Sequence, residues 1–244
     1  MSTVDIYLLG TGIRSSLQFS VETIQALSAC RVVFVLHDDL SIHEHIRHYC
    51  EDVRDLADLY EGRTVRADVY RDISELLVKE AVKEPKVAFI VHGHPLFLVS
   101  AAEYTLDLAR SRGLEVSILP AISSFDTILC DLEIDYGYGL QIFDATTLIH
   151  EEWNLNPAVP ILLFQLATTL NEKVVFDEPS SSVLLPLVDY LLKFYPAKHS
   201  CTIVHSTSHL LEKPSKVVLQ LTEISKTHEI ELWKRPTLYI PPIS

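Results

Sequence analysis

Glycine is scarce in this chain, with 7 in 244 residues, under half the usual share of about 7%. The few present are therefore expected where the backbone turns sharply or approaches something closely. The four cysteines, Cys30, Cys50, Cys130 and Cys201, include no C-x-x-C pair, which excludes a disulfide framework or a cysteine zinc site as the organising principle. They read as reduced, mostly buried thiols. No apolar run approaches the roughly 18 to 20 residues of a membrane helix, and Met1 to Asp5 lacks the basic-then-apolar layout of a secretory signal. The expected location is cytoplasmic. Bases are also short, 20 against 33 acids for a net charge of −13. Such a surface repels phosphate backbones and anionic bilayers, so neither nucleic acid nor a membrane is an expected partner.

What is present is an alternation. Val4 to Leu9 is a short apolar run stopped by Gly10-Thr11-Gly12, which predicts a buried strand entering a tight loop. An apolar face on Phe19, Val21, Ile24 and Leu27 predicts a helix, and residues 31–36 and 86–91 read as buried strands. Residues 40–50 look helical, and 51–65 reads as a charged loop. Val69, Ile73, Leu76 and Leu77 mark an amphipathic helix over 67–83. A helix over 98–112 and a strand over 115–119 close the first half. This β-α-β-α-α-β-α-β order predicts an α/β class with a mostly parallel sheet and ligands at the loops beyond the strand carboxyl ends.

After Pro120 the texture changes. One helix near 122–132, short strands near 139–143, 160–165, 201–205, 216–222 and 237–241, and a helix near 183–194 predict a second, mixed α/β domain. The expected domains are residues 1–119 and 120–244, with binding in the cleft between them.

The loops carry the candidate chemistry. Gly10-Thr11-Gly12 lacks the third glycine of the dinucleotide fingerprint, since position 15 is serine, so a plain turn competes with a ligand loop. His43, His45 and His48 could be drawn as a metal cluster. On a helix, however, positions 43 and 45 face about 200° apart, so a solvated helix face is expected and no metal is assigned. His92-Gly93-His94-Pro95 ends a strand with a glycine and a proline fixing the exit, and reads as a ligand loop, although its histidines could simply cap the sheet. Tyr60-x5-Arg66-x3-Tyr70 places Arg66 and Tyr70 at i, i+4 on one helix face with Tyr60 before it. By itself this is an ordinary exposed Arg-Tyr stack.

Together, Gly10-Thr11-Gly12, Gly93-His94-Pro95, Pro120 to Asp126 and the closing Thr237 to Pro242 resemble the tetrapyrrole methylase superfamily of S-adenosylmethionine-dependent methyltransferases. Gln141-x-Phe143-x-Ala145-Thr146, Leu163-Phe164-Gln165 and the Tyr60, Arg66, Tyr70 group are similar to the borosin peptide backbone α-N-methyltransferases. The resemblance spans essentially the whole chain. It implies a two-domain fold, a parallel-sheet N-terminal domain and a mixed-sheet C-terminal domain with S-adenosyl-L-methionine in the interdomain cleft. Tyr60, Arg66 and Tyr70 would be the catalytic group. Contacts to the cofactor would come from His92, His94, Pro95, Phe97, Ser123, Ser124, Gln165, Ser206, Trp233 and Thr237.

It also implies iterative methylation of a ribosomally made precursor peptide and a homodimer. Because fused borosin enzymes continue past the Ile-Pro-Pro strand and this chain stops at Ser244, the precursor is expected in trans. An amide nitrogen is a weak nucleophile, its lone pair delocalised into the carbonyl. A guanidinium with a phenol donor aimed at the amide oxygen would stabilise an imidate-like state, one such donor being worth roughly 3 to 4 kcal/mol. A second phenol could take the proton, given neighbouring positive charge. The alternatives are a corrin or porphyrin C-methyltransferase, which the net negative charge opposes for a carboxylate-rich macrocycle, and a catalytically silent cofactor-binding regulator.

Overall fold

The computed structural model describes residues 4–174 and 176–243, and the chain forms two compact units, Met1–Thr127 with Ser208–Leu210, and Ile128–Thr207 with Leu211–Ser244.

The first unit is a doubly wound sheet of β1 (Ile6–Gly10), β2 (Val32–Leu36), β3 (Val53–Asp55), β4 (Val87–Val91) and β5 (Val116–Ile118), in the order β3-β2-β4-β1-β5. Every pairing is parallel. Covered on both faces, the central strands can be continuously apolar, as Val87 to Val91 shows by being buried throughout. The helices are α1 (Val21–Ala29), α2 (Leu40–Arg47), α3 (Arg66–Lys83) and α4 (Ser100–Ser111). The Ser20 hydroxyl caps α1 by accepting from the Thr23 N–H. At the C-terminal end of α3, Arg31 donates to the carbonyls of Glu80 and Glu84, the first of which also accepts the Glu84 N–H. One expectation fails here: 51–65 is not all loop, because β3 adds an edge strand beside β2.

The second unit carries a mixed sheet of β6 (Gln141–Asp144), β7 (Ile161–Phe164), β8 (Ser200–His205), β9 (Ser215–Gln220) and β10 (Thr237–Ile240), ordered β6-β7-β10-β8-β9. Only β6 and β7 run parallel among these pairs. Its core gathers Ile161, Leu163, Ile203, Leu238 and Ile240 under α6 (Ala145–His150) and α7 (Leu185–Leu191). Helix α6 was not anticipated from the pattern. Helix α5 (Ser124–Leu132) lies at the chain's division between the units. Three of the four cysteines are buried and Cys130 is exposed; burial pushes the Cys30 and Cys201 thiols up to about 12. Among the described residues, no helix is long and apolar enough to cross a membrane.

Candidate active site

In the first unit the loops after β1, β4 and β5 meet at one point. A Cβ on Gly10 would lie 2.0 Å from the Gly93 carbonyl oxygen and 2.8 Å from the Ala121 Cβ, so no side chain fits there. The two glycine loops are stitched to each other: Gly93 N–H donates to the Gly12 carbonyl at 2.9 Å, Gly12 N–H to the Gly93 carbonyl at 3.3 Å, and Thr11 N–H to Val91 at 2.9 Å. The next amides, Ile13 and Arg14, donate to Gln18 Oε1 at 2.6 and 2.8 Å. A carboxamide thus occupies the place where a dinucleotide loop would receive phosphate. The Gly-Thr-Gly segment is a structural turn joining the loops after β1 and β4, with its neighbouring amides already satisfied.

At the same carboxyl edge, the chain leaves β3 through a short 3₁₀ turn ending at Tyr60 and enters α3 at Arg66. Tyr70 follows one turn later, and all three residues are half-buried. Acids elsewhere on this turn take other arginines: Asp72 pairs with Arg63 and Asp68 with Arg71. Ser74 donates to the Tyr70 carbonyl at 2.8 Å and approaches the Ala101 carbonyl at 3.3 Å, tying this turn of α3 to the start of α4.

The His92-Gly93-His94-Pro95 loop leads into α4. Pro95 is buried, His92, His94 and Phe97 are half-buried, and the Phe97 ring lies 6.3 Å from that of Phe125. His94 is turned onto its own loop, its Nδ1 accepting the Leu96 N–H at 3.1 Å. Gly93 takes φ +76, which glycine adopts without steric cost. Ser123 is buried and already engaged: it and Asp126 cap α5 reciprocally, Ser123 Oγ donating to Asp126 Oδ2 at 2.6 Å and accepting the Asp126 N–H at 3.2 Å. Its hydroxyl serves the helix, while Ser124 is half-buried as the first helical residue. A shallow depression of about 290 Å³ opens beside this cap, lined by Gln18, Ser20, Pro120, Ala121, Ile122 and Asp126. None of the Tyr60, Arg66 and Tyr70 side chains lines it.

The second unit also brings its candidates to one sheet end. Gln165 follows β7, Ser206 follows β8, and Thr237 opens β10 paired with Val204; because β10 runs antiparallel to both neighbours, these three ends coincide. The turn bearing Trp233 (232–234) packs on the turn at 166–168. Gln165 is exposed and left-handed at φ 60, ψ 34, a costly conformation for a residue with a side chain and one found at functional positions. Ser206 donates to the buried carboxylate of Asp131 at 2.5 Å. Thr237 is buried and Trp233 is exposed, with Lys234 Nζ 5.5 Å from its ring centre.

Three contributors were missed in the sequence: Gln18, which fills the glycine loop, and His37 and His205. His205 is 5% exposed. Its Nε2 accepts the Glu231 N–H at 3.2 Å, so the proton sits on Nδ1, which is buried without a hydrogen-bond partner. Burial holds this imidazole below its ordinary value despite nearby Glu231. The expected solvated face on α2 is also corrected. His43 is buried, its Nε2 3.3 Å from the His37 carbonyl and 3.9 Å from Asp55, while His45 packs edge-on against Phe19 and Tyr49. Packing of α2 on β3 turns His43 inward, while His48 stays exposed as expected.

The chain belongs to the tetrapyrrole (corrin/porphyrin) methylases, whose family model matches residues 5–214. Among curated proteins it is similar to the methyltransferase/ribosomally synthesized cyclic peptide lentinulin A precursor of Lentinula edodes, 30% identical over 240 residues covering 96% of this chain and 57% of that protein. It is likewise similar to a methyltransferase/ribosomally synthesized type II borosin cyclic peptide precursor of Phlebiopsis gigantea, 29% identical over 248 residues, 100% of this chain and 44% of that protein. The chain thus spans about half the length of the curated relatives it matches. Its fold is that of the uroporphyrin-III C-methyl transferase from Thermus thermophilus solved with S-adenyl homocysteine, with TM-score 0.63 and 14% identity over 97% of this chain and 96% of that one.

Proposed function

We propose that this chain is an S-adenosylmethionine-dependent methyltransferase that methylates backbone amide nitrogens of a ribosomally made precursor peptide, repeatedly along its length. The observation that carries the reading is the start of α3: a guanidinium, Arg66, with a phenol one turn on and a second phenol on the turn leading in, all half-buried at the carboxyl edge of a parallel sheet. The similarity to borosin precursor-methyltransferases over nearly the whole chain supports it.

The residues present suit such a methyl donor. A loop whose amides are occupied by Gln18 and Gly93 leaves no cradle for a dinucleotide's phosphates, and the donor has none. The second unit offers the polar side chains of Gln165 and Thr237 together with the orphaned N–H of His205 at one sheet end. When bound, S-adenosylmethionine would supply an electrophilic methyl group on a sulfonium. Arg66 would hold the amide oxygen and stabilise charge moving onto it, as a donor does in an oxyanion hole. Tyr60 and Tyr70 would divide the remaining tasks, one donating to the same oxygen and the other receiving the amide proton beside the Arg66 charge. In the first unit His92, His94, Pro95, Phe97 and Ser124 would contact the donor, with Ser123 fixing the start of α5; in the second unit Trp233 would do so, with Ser206 fixing its own strand end.

The test supplies a hydrophobic precursor peptide as a separate molecule with S-adenosylmethionine, and locates added methyl groups by tandem mass spectrometry. Methyl groups on backbone nitrogen are expected. Arg66→Ala and Tyr70→Phe should each lower the rate by about a hundredfold or more while S-adenosylhomocysteine affinity stays near that of the parent. Methylation confined to side chains, or turnover of a carboxylated tetrapyrrole in place of the peptide, would overturn the substrate assignment. A homodimer is the proposed assembly, read by light scattering.

A further inference from the structure

Arg66, Tyr70 and Ser74 recur at four-residue steps along α3 and so share one stripe of the helix. The first two are half-buried, whereas Ser74 is 2% exposed and meets α4. The buried face of α4 is made of small residues, Ala101, Ala102, Thr105 and Ala109. Thr105 is wholly enclosed, and its Oγ1 lies 3.2 Å from Ser74 Oγ. Alanine and valine would fill the same space with no polar group to satisfy, so the partners of these two hydroxyls have to account for their burial.

Each hydroxyl has one hydrogen to give. Thr105 Oγ1 lies 2.7 Å from the Ala101 carbonyl, and Ser74 Oγ lies 2.8 Å from the Tyr70 carbonyl and 3.3 Å from the Ala101 carbonyl. Only the shorter contact of each residue falls within the roughly 2.5 to 3.0 Å of an O–H···O bond. Thr105 therefore donates to Ala101, and Ser74 to Tyr70. The longer distances describe the alternative. Without a hydroxyl at position 105, the Ala101 carbonyl becomes an open acceptor within reach of the Ser74 hydrogen, which can then leave Tyr70.

We propose that Ser74 and Thr105 are positioning residues for Tyr70: Thr105 occupies the Ala101 carbonyl, which commits the Ser74 hydrogen to the Tyr70 carbonyl and fixes that peptide unit, with the phenol it carries, against α4. Ala101 is the second residue of α4, the helix into which the His92-Gly93-His94-Pro95 loop leads. One pair of hydroxyls thus sets the Tyr70 turn in register with the element that follows the other candidate loop of this unit. That Tyr70 acts in methyl transfer rests on the reading above; that its peptide is held from α4 does not.

Fluorine NMR of the full chain carrying 3-fluorotyrosine reads this arrangement without any turnover. The Tyr70 signal, assigned by its absence in Tyr70→Phe, should move in Ser74→Ala and in Thr105→Val, while that of Tyr190 in the second unit stays in place. Thr105→Val keeps the volume and loses the hydroxyl; Thr105→Ser keeps the hydroxyl and loses a methyl. The parent signal should return in Thr105→Ser even though its melting temperature falls. In a Ser74→Ala background, Thr105→Val should move the signal no further, because the hydrogen it would redirect is gone. A Tyr70 signal indifferent to Thr105→Val, or one disturbed more by Thr105→Ser, would overturn the arrangement whether or not the chain methylates peptides.

Kinetics then test the consequence for the reaction. Ser74→Ala and Thr105→Val should each lower kcat by about tenfold, within the roughly hundredfold that a misplacement of about 1 Å can cost. The KM for peptide and the affinity for S-adenosylhomocysteine should stay at parent values, and Thr105→Ser should restore the rate. A moved fluorine signal with unchanged kcat would refute the positioning role. Failure of the parent chain to methylate any peptide would instead overturn the functional reading, with the fluorine result still deciding how Tyr70 is held.

Discussion

The two units solve the same problem, holding several strand ends close enough to build a site, with opposite materials. The first does it backbone to backbone. Gly10, Gly12 and Gly93 let the loops after β1 and β4 bond directly, and Gln18 closes the remaining amides. The second keeps its side chains at the comparable turns: Gln165 and Arg235 take left-handed backbone at φ 60 and 53 beside the ends of β7 and β10, as Ser15 and Leu98 also do further along the first unit's loops. Gly10 and Gly12 stand where contact excludes a Cβ, while Gly93 supplies left-handed backbone.

Substitutions can break or sharpen that contrast. The largest effect is expected from Gly10→Ala, whose methyl would meet the Gly93 carbonyl at 2.0 Å. Moving that backbone should cost about 3 kcal/mol or more, seen as a lower urea midpoint with S-adenosylhomocysteine binding lost alongside. Ser123→Ala should cost about 1 kcal/mol through the α5 cap, and its effect on cofactor affinity should be secondary; a large affinity loss at unchanged stability would show the hydroxyl contacting ligand instead.

In the second unit, Gln165→Gly should leave stability within about 0.5 kcal/mol of the parent, relief of strain offsetting the added chain entropy. Gln165→Val should destabilise, because a β-branched residue suits that conformation poorly. If the side chain reaches ligand, both variants lose affinity although only one loses stability. The smallest effect concerns pH. The folded state holds His205 below its ordinary value of 6.5 by burial, so on acidification the unfolded chain takes up this proton first and stability falls as pH drops below about 6.5. His205→Gln should flatten that part of the stability profile, measured by thermal melts across pH.

Much of the architecture was legible in the residues. Buried parallel strands such as Val87 to Val91 write themselves as unbroken apolar runs, and the change to short, separated strands after Pro120 announced a mixed sheet. Strand β3 did not show because Val53-Arg54-Asp55 is three residues long, at a sheet edge, and mostly exposed. Of the candidate residues, those defined by local spacing were readable: Arg66 and Tyr70 do open a helix at i, i+4. Pairings across the chain were not. His37 and His92 are 55 positions apart and meet only because β2 and β4 become neighbours. The capping role of Ser123 and the engagement of Ser206 by Asp131 likewise depend on geometry that residue type alone does not carry.

The distribution of thiols has a practical corollary. With Cys30, Cys50 and Cys201 enclosed in the cores and their thiols raised by burial, an alkylating dye at neutral pH should react at Cys130 on α5 alone. That gives a single-site optical reporter on the helix where the two units divide, without mutating any other residue.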